Sequence, residues 1–200
     1  MSVHETDLSA LISTRICHDL INPMGAISNG LELLGDLSGT TSPELSLVSD
    51  SAARANAKLG YFRLAFGKAS QDSRISGAAI GRIVEAMFAE GRFRLQWQVS
   101  DDDIPRPEAK LALLLVLCVE NCLKIGGTCT VVKSGDGWVI DGTGPRIEPD
   151  EALWRMLTDQ STVDDISSKD VQFAVASDTL VQMGRTLTFS YGPAGLTASF

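Results

Sequence analysis

The sequence is poor in histidine, in paired cysteines and in long apolar runs. Its 200 residues include two histidines and four cysteines, and no two cysteines form a C-x-x-C pair. Multi-histidine metal sites are therefore excluded, and without a signal peptide we expect a reduced, cytoplasmic setting. The longest apolar run, at 111–119, has nine residues, too few to cross a hydrocarbon layer of about 30 Å. We expect neither a bound metal nor a membrane partner.

Positive charge is also scarce. Lysine and arginine number 17 against 25 aspartates and glutamates, which gives a net charge of −8. A surface this acidic repels nucleic-acid phosphates, so we expect no nucleic-acid partner. Apolar residues make up 44% of the chain, which is typical of a globular protein with a substantial core.

Residues 1–72 are predicted to form a helical hairpin domain. Pro23 is expected to kink the first helix rather than end it. After a turn at 35–42, Ser42 is predicted as the N-cap and Pro43 as the first residue of the second helix. Because two helices alone bury little surface, we expect two hairpins to pair as a homodimeric four-helix bundle. The first helix is predicted from apolar residues at spacings of three and four, a pattern typical of an amphipathic helix: Ile12, Ile16, Leu20, Pro23, Ile27, Leu31 and Leu34.

Residues 73–200 are predicted to form a second domain, which begins within a polar linker at 70–77. We expect its helices to cover one face of a mixed sheet, which gives an α/β sandwich and an overall α+β fold class. Periodicity predicts helices at about 78–90, 108–125, 150–157 and 168–183, and strands at about 93–100, 129–133, 138–141, 186–191 and 196–200.

His18 lies opposite the apolar stripe of the first helix. It shares a face with Asn22, Gly25 and Asn29, which follow at spacings of four, three and four. Glycine inside a helix costs about 1 kcal/mol relative to alanine, so Gly25 suggests that another surface approaches closely. Asp19 could accept a hydrogen bond from the imidazole and leave the other ring nitrogen nucleophilic. On these residues alone, a solvated histidine without a role is the alternative.

Residues 15–23, RICHDLINP, resemble the H-box of sensor histidine kinases. In that motif the histidine is followed by an acidic residue and, four and five places later, by Asn or Thr and by Pro. The resemblance implies that His18 accepts a phosphoryl group, that Asp19 is its polar partner, and that Asn22 orients the phosphoryl group or an attacking group.

The second domain resembles the ATP-binding domain of the same kinases. Residues 119–124 resemble their N-box, with Asn121 at the position that helps to hold magnesium and phosphates. Residues 139–147 resemble their adenine box, with Asp141 at the position that reads the base. Thr143 and Pro145 stand where that box has its two glycines.

The nucleotide-lid region of the chain lacks glycine. No glycine occurs between Gly144 and Gly184, although the kinases need a glycine-rich stretch there to bring backbone amides close to phosphates. We therefore expect no ATP binding, and we predict that Asn121 and Asp141 cap or bridge structural elements. Cys118 and Cys122, four residues apart on an apolar helix, are predicted to be core residues.

An intact H-box hairpin joined to a degenerate Bergerat-type domain resembles the ChpT-type histidine phosphotransferases. The resemblance implies that His18 carries a phosphoryl group from a receiver-domain aspartate of a hybrid histidine kinase to a response regulator. The partner receiver domain supplies magnesium, so this chain needs no cofactor of its own.

The resemblance and the helical positions also suggest a docking surface for receiver domains. Asn22, Gly25 and Asn29 are expected to line it, with Met24 at its edge. Arg15 is expected to meet an acidic pocket of the partner or the phosphoryl oxygens, or else to be a solvated charge. Two alternatives remain: an active histidine kinase, which must bind Mg-ATP, and a non-catalytic pseudo-kinase scaffold, whose function survives loss of the His18 side chain.

Overall fold

The N-terminal part of the protein is a pair of long helices. The computed structural model describes residues 3–35, 43–163 and 166–200. Helices α1 (Val3–Gly35) and α2 (Pro43–Ala65) pack against each other, as the predicted hairpin requires. Pro23 lies inside α1 and Pro43 begins α2. Ser42 and most of the predicted turn lie outside the described residues.

After α2, the described residues form a mixed five-stranded sheet and four helices, which confirms the predicted fold class. The elements are β1 (Arg74–Ile75), α3 (Gly77–Met87), β2 (Phe93–Gln98), β3 (Ile104–Pro105), α4 (Arg106–Cys122), β4 (Gly127–Ser134), β5 (Gly137–Thr143), α5 (Glu151–Thr158), α6 (Val171–Met183), β6 (Thr188–Gly192) and β7 (Gly195–Ser199). The order of the five-stranded sheet is β2-β4-β5-β7-β6, in which β2 and β4 are parallel and the other neighbours are antiparallel.

Two short strands were missed by the sequence analysis. Strand β1 lies inside the segment predicted as a linker, and it pairs antiparallel with β3 through Ile75 and Ile104. A strand of two residues has no alternation to detect, which explains the omission. Ile104 is extended in keeping with its place before Pro105, because a residue that precedes proline is pushed out of the helical region. The 70–77 segment is therefore partly ordered as a strand.

Helix α4 is the centre of the core. Residues 111–119 are all buried, as expected for a helix that is apolar on every side. The helix begins at Arg106 and ends at Cys122, whereas 108–125 was predicted. The early start is possible because Pro107 lies in the first turn, where no amide donor is needed.

The hairpin and the sheet share this core. Tyr61 of α2 is fully buried, and its hydroxyl donates a hydrogen bond of 2.7 Å to the Leu113 carbonyl of α4. Burial raises the pKa of Tyr61, which keeps the phenol protonated as a donor. Phe62 belongs to the same buried cluster as the α4 leucines. Within the described ranges, no helix is long and apolar enough to cross a membrane.

Candidate functional site

His18 is an exposed side chain held by its neighbour in sequence. Its side chain is 65% exposed, and its Nδ1 lies 3.1 Å from Oδ1 of Asp19. A carboxylate oxygen accepts hydrogen bonds, so in the neutral imidazole this contact favours the tautomer that carries its proton on Nδ1. The lone pair is then on Nε2, which is the nitrogen available to an electrophile.

Asp19 is itself held by Arg15, one helical turn earlier. Nε of Arg15 donates to Oδ2 of Asp19 at 2.9 Å. The same guanidinium donates through Nη1 to the Lys169 carbonyl, just before α6, and lies 3.5 Å from Oε1 of the buried Gln172. The Arg15 side chain is only 17% exposed. The structure thus turns Arg15 towards α6, where three acceptors of the chain itself surround the guanidinium, so Arg15 is not the solvated charge that was the alternative. The docking role expected for Arg15 remains a prediction.

Two further charged residues, Lys58 and Glu120, lie near Asp19 and Arg15. Together with His18 these four residues form what we call the His18 cluster. Lys58 of α2 donates from Nζ to the Asp19 carbonyl at 3.1 Å. Burial raises the pKa of the Glu120 carboxyl on α4, an effect that the positive charges of Arg15 and Lys58 oppose and the negative charge of Asp19 reinforces. Sequence reasoning did not single out Glu120 or Lys58. The available signal was that Glu120 is the one charge in α4 after Lys110.

The residues predicted to dock a receiver domain lie open on α1. Asn22, Met24, Gly25 and Asn29 are all exposed. A Cβ atom built on Gly25 meets none of the described residues within 4 Å, so packing among them does not account for a glycine there. The docking roles of these four residues remain predictions.

The two polar residues of the kinase-like motifs bridge structural elements. Nδ2 of Asn121 donates to Oδ1 of Asp170 at 2.9 Å, and Asp170 also accepts from Ser167 Oγ at 2.6 Å. Oδ1 of Asp141 on β5 accepts from Thr197 Oγ1 on β7 at 2.6 Å. Both contacts agree with the bridging role predicted for these residues.

The cysteines of α4 belong to the core, as predicted. Cys118 and Cys122 are fully buried, and burial raises the pKa of the Cys122 thiol to about 11. Trp154 Nε1 donates to Cys122 Sγ at 3.2 Å. In the described part of the chain, no group of three or more His, Cys, Asp or Glu side chains could hold a metal ion.

Comparison with known proteins identifies the family. The protein-family model called histidine phosphotransferase C-terminal domain matches residues 78–195 of this chain. Protein phosphotransferase ChpT of Brucella abortus is 35% identical over 130 residues, which cover 64% of this chain and 62% of the Brucella protein. The match thus spans less than two thirds of that relative's length.

One solved structure agrees with this assignment. A bacterial phosphotransferase superposes with a TM-score of 0.78 at 25% sequence identity, over 100% of this chain and 97% of that chain. A histidine kinase domain from Erythrobacter litoralis is more distant, with a TM-score of 0.44 and 17% identity over 99% of this chain and 93% of that chain. Because the family model covers more than half of the sequence, the chain belongs to the histidine phosphotransferase family and is of the ChpT type.

Proposed function

We propose that this protein is a phosphorelay intermediate that carries a phosphoryl group on Nε2 of His18. The observation that carries the proposal is the exposed imidazole whose Nδ1 faces Asp19 Oδ1 at 3.1 Å. This contact leaves Nε2 as the nucleophile on an accessible surface. The donor would be the aspartyl phosphate of a hybrid histidine kinase's receiver domain, and the acceptor the aspartate of a response regulator.

The transfer step follows from this geometry. The Nε2 lone pair attacks phosphorus, the bond from phosphorus to the aspartyl oxygen breaks, and the carboxylate leaves with that electron pair. The Nδ1 proton stays on the ring, so the ring becomes positively charged beside the carboxylate of Asp19. A second receiver aspartate then reverses the step. Since the receiver domain supplies magnesium, this chain contributes a positioned imidazole.

The receiver domain would dock on the exposed face of α1 around His18. Asn22 lies one turn after His18, where its amide can bond phosphoryl oxygens. Gly25 would let the partner's backbone approach closely. Met24, half exposed, offers an adaptable apolar contact at the edge of this surface.

We also infer a homodimer in which two hairpins form a four-helix bundle. Leu31, Leu45 and Leu59 are large apolar side chains that the hairpin leaves exposed, and an apolar groove of about 300 Å³ lies between α1 and α2. Burial of such surface favours association. Light scattering should give twice the chain mass of 21.4 kDa. Leu31→Lys should yield a monomer, whereas Val181→Lys, on the exposed face of α6, should not.

We propose that the protein works without ATP. Two observations support this proposal. Asn121 is hydrogen-bonded to Asp170, and Asp141 is hydrogen-bonded to Thr197. The nucleotide-lid region also lacks glycine. Titration of Mg-ATP followed by calorimetry should give no saturable heat up to millimolar nucleotide. Micromolar affinity together with autophosphorylation would establish the active-kinase alternative instead.

The central test is transfer of radiolabel from a phosphorylated receiver domain. Native protein should acquire label that is stable in base and labile in acid, as expected for phosphohistidine, and His18→Gln should acquire none. If receiver domains bind the native protein and no label moves, the scaffold alternative replaces this proposal. His4→Gln serves as the matched control, because it removes the other histidine of the chain.

A further inference from the structure

A second candidate site lies where the hairpin joins the sheet. An open cavity of about 490 Å³ is lined by Lys68, Ser70, Ser73, Arg74 and Arg106. The lining therefore presents three cationic side chains and two hydroxyls, and no carboxylate. The residues come from the chain just after α2, from the start of β1 and from the first position of α4. None of them takes part in the His18 cluster.

The positive charges of this cavity are poorly neutralised. In the described part of the chain, the one ion pair made by the three cations joins Arg74 to Asp103 at 3.9 Å, and both of those side chains are exposed. An exposed pair at that distance contributes little free energy. Such a concentration of positive charge is unexpected in a protein whose net charge is −8.

Neighbouring residues add to the positive charge. Burial and the nearby charge of Arg63 lower the pKa of the Arg106 guanidinium. The pKa of Lys110 is lowered by its burial and by Arg106, although Asp178 opposes that change. The cations at this end of α2 and α4 thus repel one another. A bound anion would relieve the repulsion.

Hydrogen bonds hold the backbone of the loop that carries part of the lining. Arg106 N donates to the Ser73 carbonyl at 2.9 Å, and Ser73 Oγ donates to the Ser70 carbonyl at 2.7 Å. The loop is thereby joined to the first residue of α4. Because the loop backbone is held before a ligand enters, less conformational entropy is lost on binding.

We propose that this cavity binds a small oxyanion with at least two negative charges, such as a phosphate or diphosphate group, free or on a metabolite. Arginine presents a fork of donors that matches phosphate oxygens, and Lys68 and the Ser70 hydroxyl add single donors, whereas the Ser73 hydroxyl already donates to the Ser70 carbonyl. The three cations line one open cavity, so a compact anion can lie near several of them at once.

Isothermal calorimetry of the full chain with inorganic pyrophosphate tests the proposal. We expect saturable binding of one pyrophosphate per chain, with an affinity that falls as salt rises. Arg106→Gln and Lys68→Gln should each weaken binding about tenfold or more, since charge-assisted hydrogen bonds are lost. Arg155→Gln is the matched control, because it removes the same charge from the exposed face of α5. Parallel titrations with AMP and with inorganic phosphate show whether the cavity prefers a phosphate group on a metabolite or a free phosphate.

Three results would overturn the proposal. Pyrophosphate could fail to bind the native chain, or Arg155→Gln could weaken binding as much as Arg106→Gln does, which would indicate a general charge effect. If instead the cavity variants lose affinity for a receiver domain while pyrophosphate does not bind, the cluster is a protein-docking surface. Should Arg106→Gln fold poorly, the exposed Lys68→Gln decides. His18→Gln should bind pyrophosphate like the native chain, so the result does not depend on phosphotransfer.

Discussion

His18 and Asp19 are adjacent residues whose side chains meet at 3.1 Å, with Nδ1 of the imidazole against one carboxylate oxygen. The other oxygen of Asp19 is held by Arg15 at 2.9 Å. The carboxylate therefore cannot rotate away from His18 without also losing Arg15. This division of its two oxygens gives an exposed histidine a defined tautomer.

Asp19→Asn should slow phosphotransfer by about 100-fold, a magnitude typical of loss of a group that assists at the reacting centre. The substitution keeps the shape and removes the charge that stabilises the phosphorylated imidazolium. Single-turnover transfer from a labelled receiver domain measures the effect. Asp50→Asn, an exposed aspartate of α2, is the control. A rate for Asp19→Asn within twofold of native would exclude an electrostatic role for Asp19.

Arg15→Gln should remove the hydrogen bond that holds the Asp19 carboxylate and weaken the contact between α1 and the start of α6. We expect the free energy of unfolding to fall by about 1–3 kcal/mol, because charge-assisted hydrogen bonds of a mostly buried side chain are lost. Nitrogen-15 NMR of the imidazoles should show a smaller Nδ1–H population for His18, and only two histidines contribute signals. Arg15→Lys should not restore the native tautomer, because an ammonium group lacks the planar, multi-donor geometry of the guanidinium. An unchanged His18 spectrum in Arg15→Gln would show that Arg15 serves stability alone.

Gly25→Ala should stabilise the protein and weaken docking at the same time. Alanine favours a helix interior by about 0.5–1 kcal/mol over glycine, and, apart from the adjoining helix backbone, the added methyl lies more than 4 Å from every other group that the structure describes. Urea unfolding and receiver-domain titration measure the two effects. In Gly60→Ala, the new Cβ would make an ordinary contact at 3.7 Å with Ile83, so that variant should bind the receiver domain normally. Unchanged receiver affinity in Gly25→Ala would mean that no close approach occurs there.

Glu120 should make the stability of the protein depend on pH. Its pKa in the folded state is raised by burial above the ordinary value of 4.5, so the folded state holds the proton more tightly than the unfolded state does. Its contribution to stability is present below pH 4.5 and is lost as the pH rises through the raised pKa. In urea unfolding, Glu120→Gln should therefore gain stability relative to native as the pH increases across that window. Glu85→Gln, on the exposed face of α3, should show no such gain, and a constant difference between Glu120→Gln and native would contradict the assignment.

The order of helices and strands could be predicted because it depends on local periodicity. Leu95, Trp97 and Val99 alternate along β2 and just beyond it, and α4 is uniformly apolar. The strands of two residues have no period and could not be found in this way. One contiguous motif, at residues 15–23, was enough to select His18, Asp19 and Asn22 as candidate site residues.

The surroundings of His18 could not be predicted from sequence. The contact between Arg15 and Gln172 joins residues 157 positions apart, and that of Lys58 with the Asp19 carbonyl spans 39. Such contacts depend on how α2 and α6 pack against α1, which no local pattern encodes. For this reason the intramolecular acceptors of Arg15 could not be predicted.

The hydrogen bond from Tyr61 to the Leu113 carbonyl limits how modular this protein can be. A hairpin grafted onto a foreign kinase-like domain would bring a buried phenol with no carbonyl to receive it, and Phe62 with no α4 to cover it. Recombination between relatives at the junction after α2 should therefore succeed only where the recipient supplies an equivalent of the Leu113 region. The two halves are expected to evolve, and to melt, as one cooperative unit.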